Sequence, residues 1–214
     1  MIRLIKLTVP NILSVNSTTW TSELMNLINS NQPVPPAIAN RYNHPQIKSQ
    51  VKAETFDKCC YCESKVTQVY PGDIEHLIPK SKFPRLTYTW KNMTFSCSIC
   101  NNRKRDYLNK PNPLLNPYKD NPSQHLRAFG PFISQINGDT RGEITVKKLD
   151  LNRADLRERR TDILKSLSRL LDKFHKEQDQ GLKQILKDEL LECAETKNEY
   201  SLTIKQFLID NGIV

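Results

Sequence analysis

The residue types and spacings that could do chemistry lie between Cys59 and Asp106. This stretch contains two C-x-x-C pairs, Cys59 with Cys62 and Cys97 with Cys100. Each pair can present two thiolates on one side of a turn, and four soft thiolates select zinc over harder cations. We therefore predict a structural zinc ion that is held by all four sulfur atoms.

The other two cysteines raise alternatives to this assignment. Cys60 could pair with Cys62, but the x-x spacing of the second pair favours Cys59, and we expect Cys60 to be a small buried apolar residue. Cys193 is alone in a helical apolar stripe and is expected in the core. A redox role for the pairs is disfavoured because the chain lacks an obvious thioredoxin-like pattern. A site closed by four thiolates does no chemistry itself, so the reacting residues are expected between and just after the pairs.

An acid and a histidine are adjacent between the two cysteine pairs, in DIEHLIP (73–79). Asn92 follows in WKNMTFSC, and Asn101 comes directly after the second pair in CNNRK. In this order the residues resemble the HNH endonucleases, whose ββα-metal motif has an acid–His pair, a central Asn, and a His or Asn opening the helix. The resemblance implies an α+β fold in which helices surround a zinc-stapled ββα-metal core.

The resemblance also implies a role for each residue in phosphodiester hydrolysis. His76 would take a proton from the attacking water near neutral pH. Glu75 and Asn101 would supply oxygen ligands to a catalytic Mg²⁺ or Mn²⁺, and Asn92 would hydrogen-bond the loop backbone that holds the His76 ring. The family often has Asp before the histidine. Because Glu75 is one methylene longer, Asp73 is included as a second metal ligand.

The flanking segments narrow the resemblance to the HNH nuclease subunits of Septu and related retron anti-phage systems. The matching segments are HPQIKSQ, KCCYCES and DIEHLIPKS up to the site, and NPLLNPYKDNP and LDLNRADLRERR after it, over about residues 40–165. The resemblance implies a nuclease that cleaves DNA and is regulated by a partner ATPase from the same operon. For retron versions it also implies a reverse transcriptase with its RNA–DNA product.

The region of the predicted site is basic. Residues 59–110 carry nine Lys and Arg against four Asp and Glu, a net +5 of the chain's formal +9. We predict contacts to nucleic-acid phosphates, which position the substrate without reading its sequence. The residues predicted to make these contacts are Lys80, Lys82, Arg103, Lys104 and Arg105. A solvated charged surface is the alternative.

Apolar periodicity predicts the elements that position this site. Residues 2–9 alternate well enough for a short strand, and a helix is expected from Asn16 or Ser17. A second helix from Pro45 would lead the chain to the first cysteine pair. Residues 133–136 and 143–149 flank the turn INGDTRG and are typical of a hairpin.

The composition changes after Asn152, a predicted N-cap, where apolar stripes predict three helices with a break at Gly181. We predict an HNH nuclease domain over residues 1–150, with its ββα-metal core at about 57–110. Residues 151–214 would form a C-terminal helical region used for packing or for docking a partner.

Bulk properties limit the class of protein. The 214 residues include no signal-peptide pattern at the N-terminus and no stretch approaching about 20 apolar residues, so a cytoplasmic protein without membrane segments is expected. Two alternatives to a DNA endonuclease stay open at this point. One is an RNA nuclease, for example of tRNA, and the other is a noncatalytic zinc module that binds nucleic acid or a partner protein.

Overall fold

The computed structural model of the protein describes residues 1–68 and 70–214. This part of the chain contains eight α-helices and two antiparallel sheets of two strands each. The helices are α1 (Asn11–Asn29), α2 (Pro36–Ala39), α3 (Pro45–Thr55), α4 (Ser98–Lys104), α5 (Thr140–Leu149), α6 (Ala154–Lys176), α7 (Gln180–Cys193) and α8 (Ser201–Asp210). The strands are β1 (Asp73–His76), β2 (Met93–Ser96), β3 (Leu126–Phe129) and β4 (Phe132–Gln135).

A ββα unit is formed by β1, β2 and α4. The two strands pair antiparallel, with His76 opposite Met93, whose side chain is fully buried. Cys97 directly follows the second strand and caps the helix, because its Sγ accepts a hydrogen bond from the Cys100 backbone N–H at 3.4 Å. The predicted α+β class with a ββα core is confirmed.

Helix α3 packs on the strands of this unit, and α1 packs against α3 and against the loop between the two strands. Strand β2 lies against α3, whose Ile47 and Val51 side chains have no exposed surface. As predicted, α3 begins at Pro45, and the Nδ1 atom of His44 accepts a hydrogen bond from the Gln46 backbone N–H at 3.2 Å. The cap fixes where the helix starts, and the buried face fixes its packing against the strands.

The N-terminal segment departs from its predicted structure. Residues 2–9 form no strand, because their hydrogen-bond partners do not belong to a neighbouring strand. Leu4 donates its backbone N–H to the Pro117 carbonyl, and Leu7 donates its own to the Glu54 carboxylate, each at 2.8 Å. The prediction that α1 begins at Asn16 or Ser17 is also wrong, since the helix begins at Asn11, directly after Pro10.

The hairpin predicted from residues 133–136 and 143–149 is correct for its first strand, which is β4, and wrong for its second, which is helical. Strand β4 pairs with β3 across the turn at residues 130–131, not with residues 143–149. Those residues are helical because Asp139 caps α5, its Oδ1 accepting a hydrogen bond from the Gly142 N–H at 2.5 Å. Thr145 and Leu149 are buried at helical spacing.

The three C-terminal helices exist as predicted, but the predicted break at Gly181 is wrong, because Asp179 caps α7 and Gly181 lies inside that helix, so the break falls at residues 177–179. The helices take part in two apolar clusters. Leu167, Leu190 and Leu208 are among the buried side chains of a cluster formed by α6, α7 and α8. Leu156 and Tyr200 belong instead to the larger core that also contains the first cysteine pair. The division at residue 150 and partner docking by residues 151–214 stay predictions. Within the described ranges, no helix is both long enough and apolar enough to cross a bilayer.

Asn152 is not the residue before α6, as predicted, because Arg153 takes that position. The Asn152 side chain instead donates to the Ile133 carbonyl and accepts from the Ile133 N–H, both at 2.8 Å. Asn152 therefore ties the start of the C-terminal helices to strand β4.

The position of Gly72, directly before the first strand, has no room for a side chain. Its φ is +69°, and an added Cβ would overlap the ring of Phe95. We expect Gly72→Ala to lower the free energy of unfolding by about 2 to 4 kcal/mol, from strain in the left-handed region and overpacking. Gly138→Ala is the control, because φ there is +74° but nothing lies within 4 Å of an added Cβ. Urea denaturation would measure both, and equal losses would contradict the steric argument.

Candidate active site and metal centre

Four cysteine sulfurs come together beside the ββα unit. The Sγ atoms of Cys59, Cys62, Cys97 and Cys100 all lie within 4.8 Å of one another, and those of Cys62 and Cys97 are 3.9 Å apart. Tetrahedral Zn–S bonds of about 2.3 Å place sulfurs about 3.8 Å apart, so the donor set and its spacing fit structural zinc. The predicted grouping of these four residues is confirmed.

Backbone hydrogen bonds hold the first cysteine pair against the second strand. The Cys60 N–H donates to the Phe95 carbonyl at 3.0 Å, and Cys59 donates to the Ser64 carbonyl at 2.9 Å. Cys60 is buried outside the four-sulfur cluster, as expected. Cys193 is half-buried on α7 and packs against the C-terminal cluster, also as expected. The sulfur cluster therefore joins residues that precede β1 to residues that follow β2.

His76 ends β1 and is held as a neutral imidazole. Its Nε2 lies 2.9 Å from the Thr87 carbonyl oxygen, and the edge of the Tyr42 ring packs against it with centroids 4.8 Å apart. Burial lowers the pKa of His76 to about 4, and the positive charges of Lys80 and Lys104 act in the same direction. Because a carbonyl accepts only, Nε2 carries the proton. Nδ1 is then the ring nitrogen that can accept one.

Asn92 holds the loop that follows His76. Its Oδ1 accepts the Ile78 N–H at 2.8 Å, and its Nδ2 donates to the carbonyls of Ile78 at 2.9 Å and Leu86 at 3.3 Å. These bonds join the two ends of the loop between β1 and β2, which also contains the carbonyl that orients the His76 ring. The geometry is that of a positioning residue.

Two carboxylates lie on the face of β1 that packs against α4, because alternate residues of a strand share a face. The Asn101 Nδ2 donates to Asp73 Oδ2 at 3.0 Å, and the Tyr70 hydroxyl donates to the other Asp73 oxygen at 2.9 Å. Asp73 is half-buried, so its carboxylate has access to solvent. The structure thus brings one acidic side chain together with Asn101, and that side chain is Asp73.

Glu75 is buried and already paired. Its Oε1 is 2.5 Å from the Lys104 ammonium and 3.3 Å from the Tyr61 hydroxyl. Burial raises the pKa of Glu75, and the ion pair with Lys104 opposes that rise. Lys104 also donates to the His76 carbonyl at 2.7 Å. For Glu75 to bind a catalytic ion, that ion would have to displace the ammonium group.

The five basic residues predicted to contact phosphate have different environments. Lys104 is 2% exposed and its ammonium is occupied by Glu75, so its predicted contact with nucleic acid is wrong in this structure. Arg105 is exposed, and Lys82 and Arg103 form surface ion pairs with Asp106 and Asp150. Lys80 lies over the Tyr42 ring at 4.1 Å. For these four residues, phosphate contact stays a prediction.

Three residues that position the site were missed in the sequence. Tyr42 packs against His76, Thr87 orients the ring through its carbonyl, and Tyr61 reaches Glu75. A backbone carbonyl has no sequence signal, and Tyr42 lies far from the motif in the chain. Tyr61, in contrast, lies inside the first C-x-x-C pair, so its position could have pointed to a contact with the site.

Residues 59–106, which contain the strand–strand–helix unit, the four-cysteine cluster and the histidine at the end of β1, match the family model described as HNH endonuclease. The chain is also similar to two proteins named Septu protein PtuB. The one from Bacillus thuringiensis is 33% identical over 115 residues, 53% of this chain and 44% of that protein. The one from Bacillus mycoides is 30% identical over 157 residues, 59% of this chain and 53% of that protein. The chain therefore spans about half the length of the curated relatives it matches.

Zinc and folding are expected to depend on the same sulfurs. We predict that Cys97→Ser lowers the zinc content from about one ion per chain to near zero and unfolds the ββα unit with it, since site formation and folding are coupled. Elemental analysis and circular dichroism would measure the two effects. Cys193→Ser is the control, because that residue lies outside the cluster. A folded, zinc-loaded Cys97→Ser protein would contradict the assignment.

The buried ion pair generates a second prediction. We expect Lys104→Met to lower the free energy of unfolding by about 3 to 5 kcal/mol at neutral pH, because it leaves a buried carboxylate unpaired. The loss should shrink as pH falls, since protonation of Glu75 removes the unpaired charge, and Glu75→Gln in the same chain should restore part of it.

Lys82→Met is the matched control for Lys104→Met, because the pair of Lys82 with Asp106 is on the surface and should cost at most about 1 kcal/mol. Denaturation of both variants at several pH values would test the prediction. If both variants were equally stable and only Lys104→Met bound DNA less tightly, Lys104 would be a phosphate contact after all.

Proposed function

We propose that this protein is a metal-dependent HNH endonuclease that hydrolyses DNA phosphodiester bonds. The observation that carries the proposal is the state of His76, a buried neutral imidazole whose Nε2–H is fixed by a carbonyl at 2.9 Å and whose pKa is lowered to about 4. Such a ring is unprotonated at neutral pH, and Nδ1 is the position at which it would take a proton from water. The HNH family match and the two PtuB relatives support the reaction class.

The arrangement around His76 suits attack on a phosphate diester. His76 would take the proton of the attacking water, and Asn92 keeps the ring in place by tying the following loop to its start. Lys80, whose ammonium lies over Tyr42 beside the histidine, would bind a phosphate oxygen. The same positive charge helps to keep the imidazole neutral.

Asp73 and Asn101 would hold the catalytic ion, with the Asp73 carboxylate and the Asn101 side-chain oxygen as ligands. Both side chains carry the hard oxygen donors that Mg²⁺ and Mn²⁺ prefer, and they are within hydrogen-bond distance of each other. When bound, such an ion would neutralise charge on the phosphate and the leaving 3′ oxygen. Glu75 is the weaker candidate as a ligand because Lys104 occupies it.

The part of the chain that the structure describes contains no direct contact between the His76 ring and Asp73 or Asn101. The ring lies on the opposite face of β1 from Asp73, because the two residues are three strand positions apart, and Asn101 on α4 lies beside Asp73. For both to act on one phosphate diester, the substrate would have to reach both faces of β1.

The names of the relatives support a biological setting for the nuclease. Both are called Septu protein PtuB, and we propose that this protein likewise acts in Septu anti-phage defence. Its regulator would be a PtuA-like ATPase from the same operon. A retron reverse transcriptase with its RNA–DNA product is the further partner that the family resemblance suggests.

Removal of the proposed base should abolish cleavage. We predict that His76→Ala nicks supercoiled plasmid about 10² to 10⁴ times more slowly than the unaltered protein in Mg²⁺ or Mn²⁺, as expected for loss of general base catalysis. Omission of the divalent ion should have a similar effect on the unaltered protein. His175→Ala is the control, because His175 is exposed on α6. Equal nicking by His76→Ala and the unaltered protein would sink the catalytic assignment.

The same assay can distinguish a DNA endonuclease from the two alternatives, an RNA nuclease and a noncatalytic zinc module. Cleavage of tRNA but not of plasmid, lost in His76→Ala, would keep the nuclease and change its substrate. Binding of nucleic acid without cleavage of either would favour a noncatalytic zinc module. Asp73→Asn should reduce the rate more than Glu75→Gln if Asp73 is the main metal ligand. The reverse order would assign that role to Glu75.

A further inference from the structure

The C-terminal helices carry polar groups that lie against the zinc-binding sulfurs. Four thiolates and one Zn²⁺ have a formal net charge of −2, and three of the four cysteines are buried. A buried anionic centre is costly unless nearby donors and cations compensate it. The two cysteine pairs supply the negative charge, and residues after position 150 supply the groups that compensate it.

Arg153 provides the positive charge. It immediately precedes α6, its side chain is only 9% exposed, and its Nη1 lies 3.7 Å from the Cys100 Sγ. The guanidinium also contacts Asp155 through Nε at 3.0 Å, but that carboxylate is 57% exposed, so the pair contributes little. Nη1 therefore faces the Cys100 sulfur and, at 3.5 Å, the Asp150 carbonyl, whereas Nε makes the weak pair with Asp155.

Tyr200 provides a second donor through Ser64. The Tyr200 hydroxyl is 2.7 Å from the Ser64 Oγ, and that oxygen is 3.4 Å from the Cys62 Sγ. When Cys62 is a thiolate it can only accept, so Ser64 donates to it and accepts from Tyr200. Tyr200 is 2% exposed and directly precedes α8, so a second C-terminal helix also reaches the metal centre.

We propose that Arg153, supported by the Tyr200–Ser64 pair, is a positioning residue for the zinc thiolates that strengthens zinc binding and lowers thiolate reactivity. Hydrogen bonds to a metal ligand fix its orientation and are often needed for full metal affinity. A donor on a thiolate also withdraws electron density, which makes the sulfur a poorer nucleophile toward electrophiles and oxidants. The C-terminal helices are then part of the zinc centre, whatever partner they also contact.

The full-length protein with bound zinc, and without nucleic acid, is the system in which to test this proposal. We expect Arg153→Met to weaken zinc binding about 10- to 100-fold, measured by transfer to a chromophoric chelator. Its zinc thiolates should also react faster with iodoacetamide. Arg153→Lys keeps the charge but loses the planar fork. Its zinc affinity and its alkylation rate should lie between those of the unaltered protein and those of Arg153→Met.

The matched control is Arg159→Met, since Arg159 is exposed on α6 and pairs with Glu199 and not with a sulfur. The cobalt-substituted protein gives a readout that general destabilisation would not move, because the thiolate-to-cobalt absorption band should shift in Arg153→Met and not in Arg159→Met. Unchanged zinc transfer, alkylation and cobalt spectrum in Arg153→Met would overturn the proposal, even if that variant were less stable.

If Arg153→Met failed to fold, Tyr200→Phe would decide, because it removes one hydroxyl and keeps the buried ring. Faster alkylation and a shifted cobalt band in Tyr200→Phe, with the fold intact, would support the proposal, and wild-type values would overturn it. None of these measurements uses cleavage. The same results are expected with His76→Ala added to each variant, so failure here is distinct from failure of the proposed nuclease activity.

Discussion

The rest of the structure depends on the junction between the two cysteine pairs. A two-stranded sheet with a seven-residue helix cannot bury enough apolar surface to be stable alone. The four sulfurs join the segment before β1 to the segment after β2, and beside them the Cys60 N–H donates to the carbonyl of Phe95, whose ring is fully buried. Every residue proposed to act on substrate is attached to these two strands, to the loop between them or to the helix that follows.

The ββα unit gives the ionisable residues of its first strand different charge states. On one face Glu75 is neutralised by Lys104, and on the other His76 is kept neutral by burial and by the positive charges near it. Asp73, at the more accessible end of the strand, keeps a carboxylate that can face solvent. Three neighbouring ionisable residues thereby take three different states, because their burial and their partners differ.

The C-terminal helices are joined to this unit in a way that the motif itself does not require. Arg153 reaches a sulfur of the four-cysteine cluster, Tyr200 reaches the cluster through Ser64, and Asn152 fastens the start of α6 to strand β4. This arrangement explains why the larger apolar core contains residues from both sides of position 150. A partner that bound these helices would be acting close to the metal centre, although far along the chain from the histidine.

Local spacing determined the four clustered cysteines, a long apolar period determined the C-terminal helices, and the resemblance to the HNH endonucleases predicted the fold class and the ββα order. The sequence by itself could not determine the strand partner of β4, the start of α1, the burial of Lys104 or the carboxylate beside Asn101. Those outcomes depend on contacts between residues far apart in the chain, such as Lys104 with Glu75 and Asp73 with Asn101. Only tertiary packing decides which polar groups lose their water and which partner then replaces it.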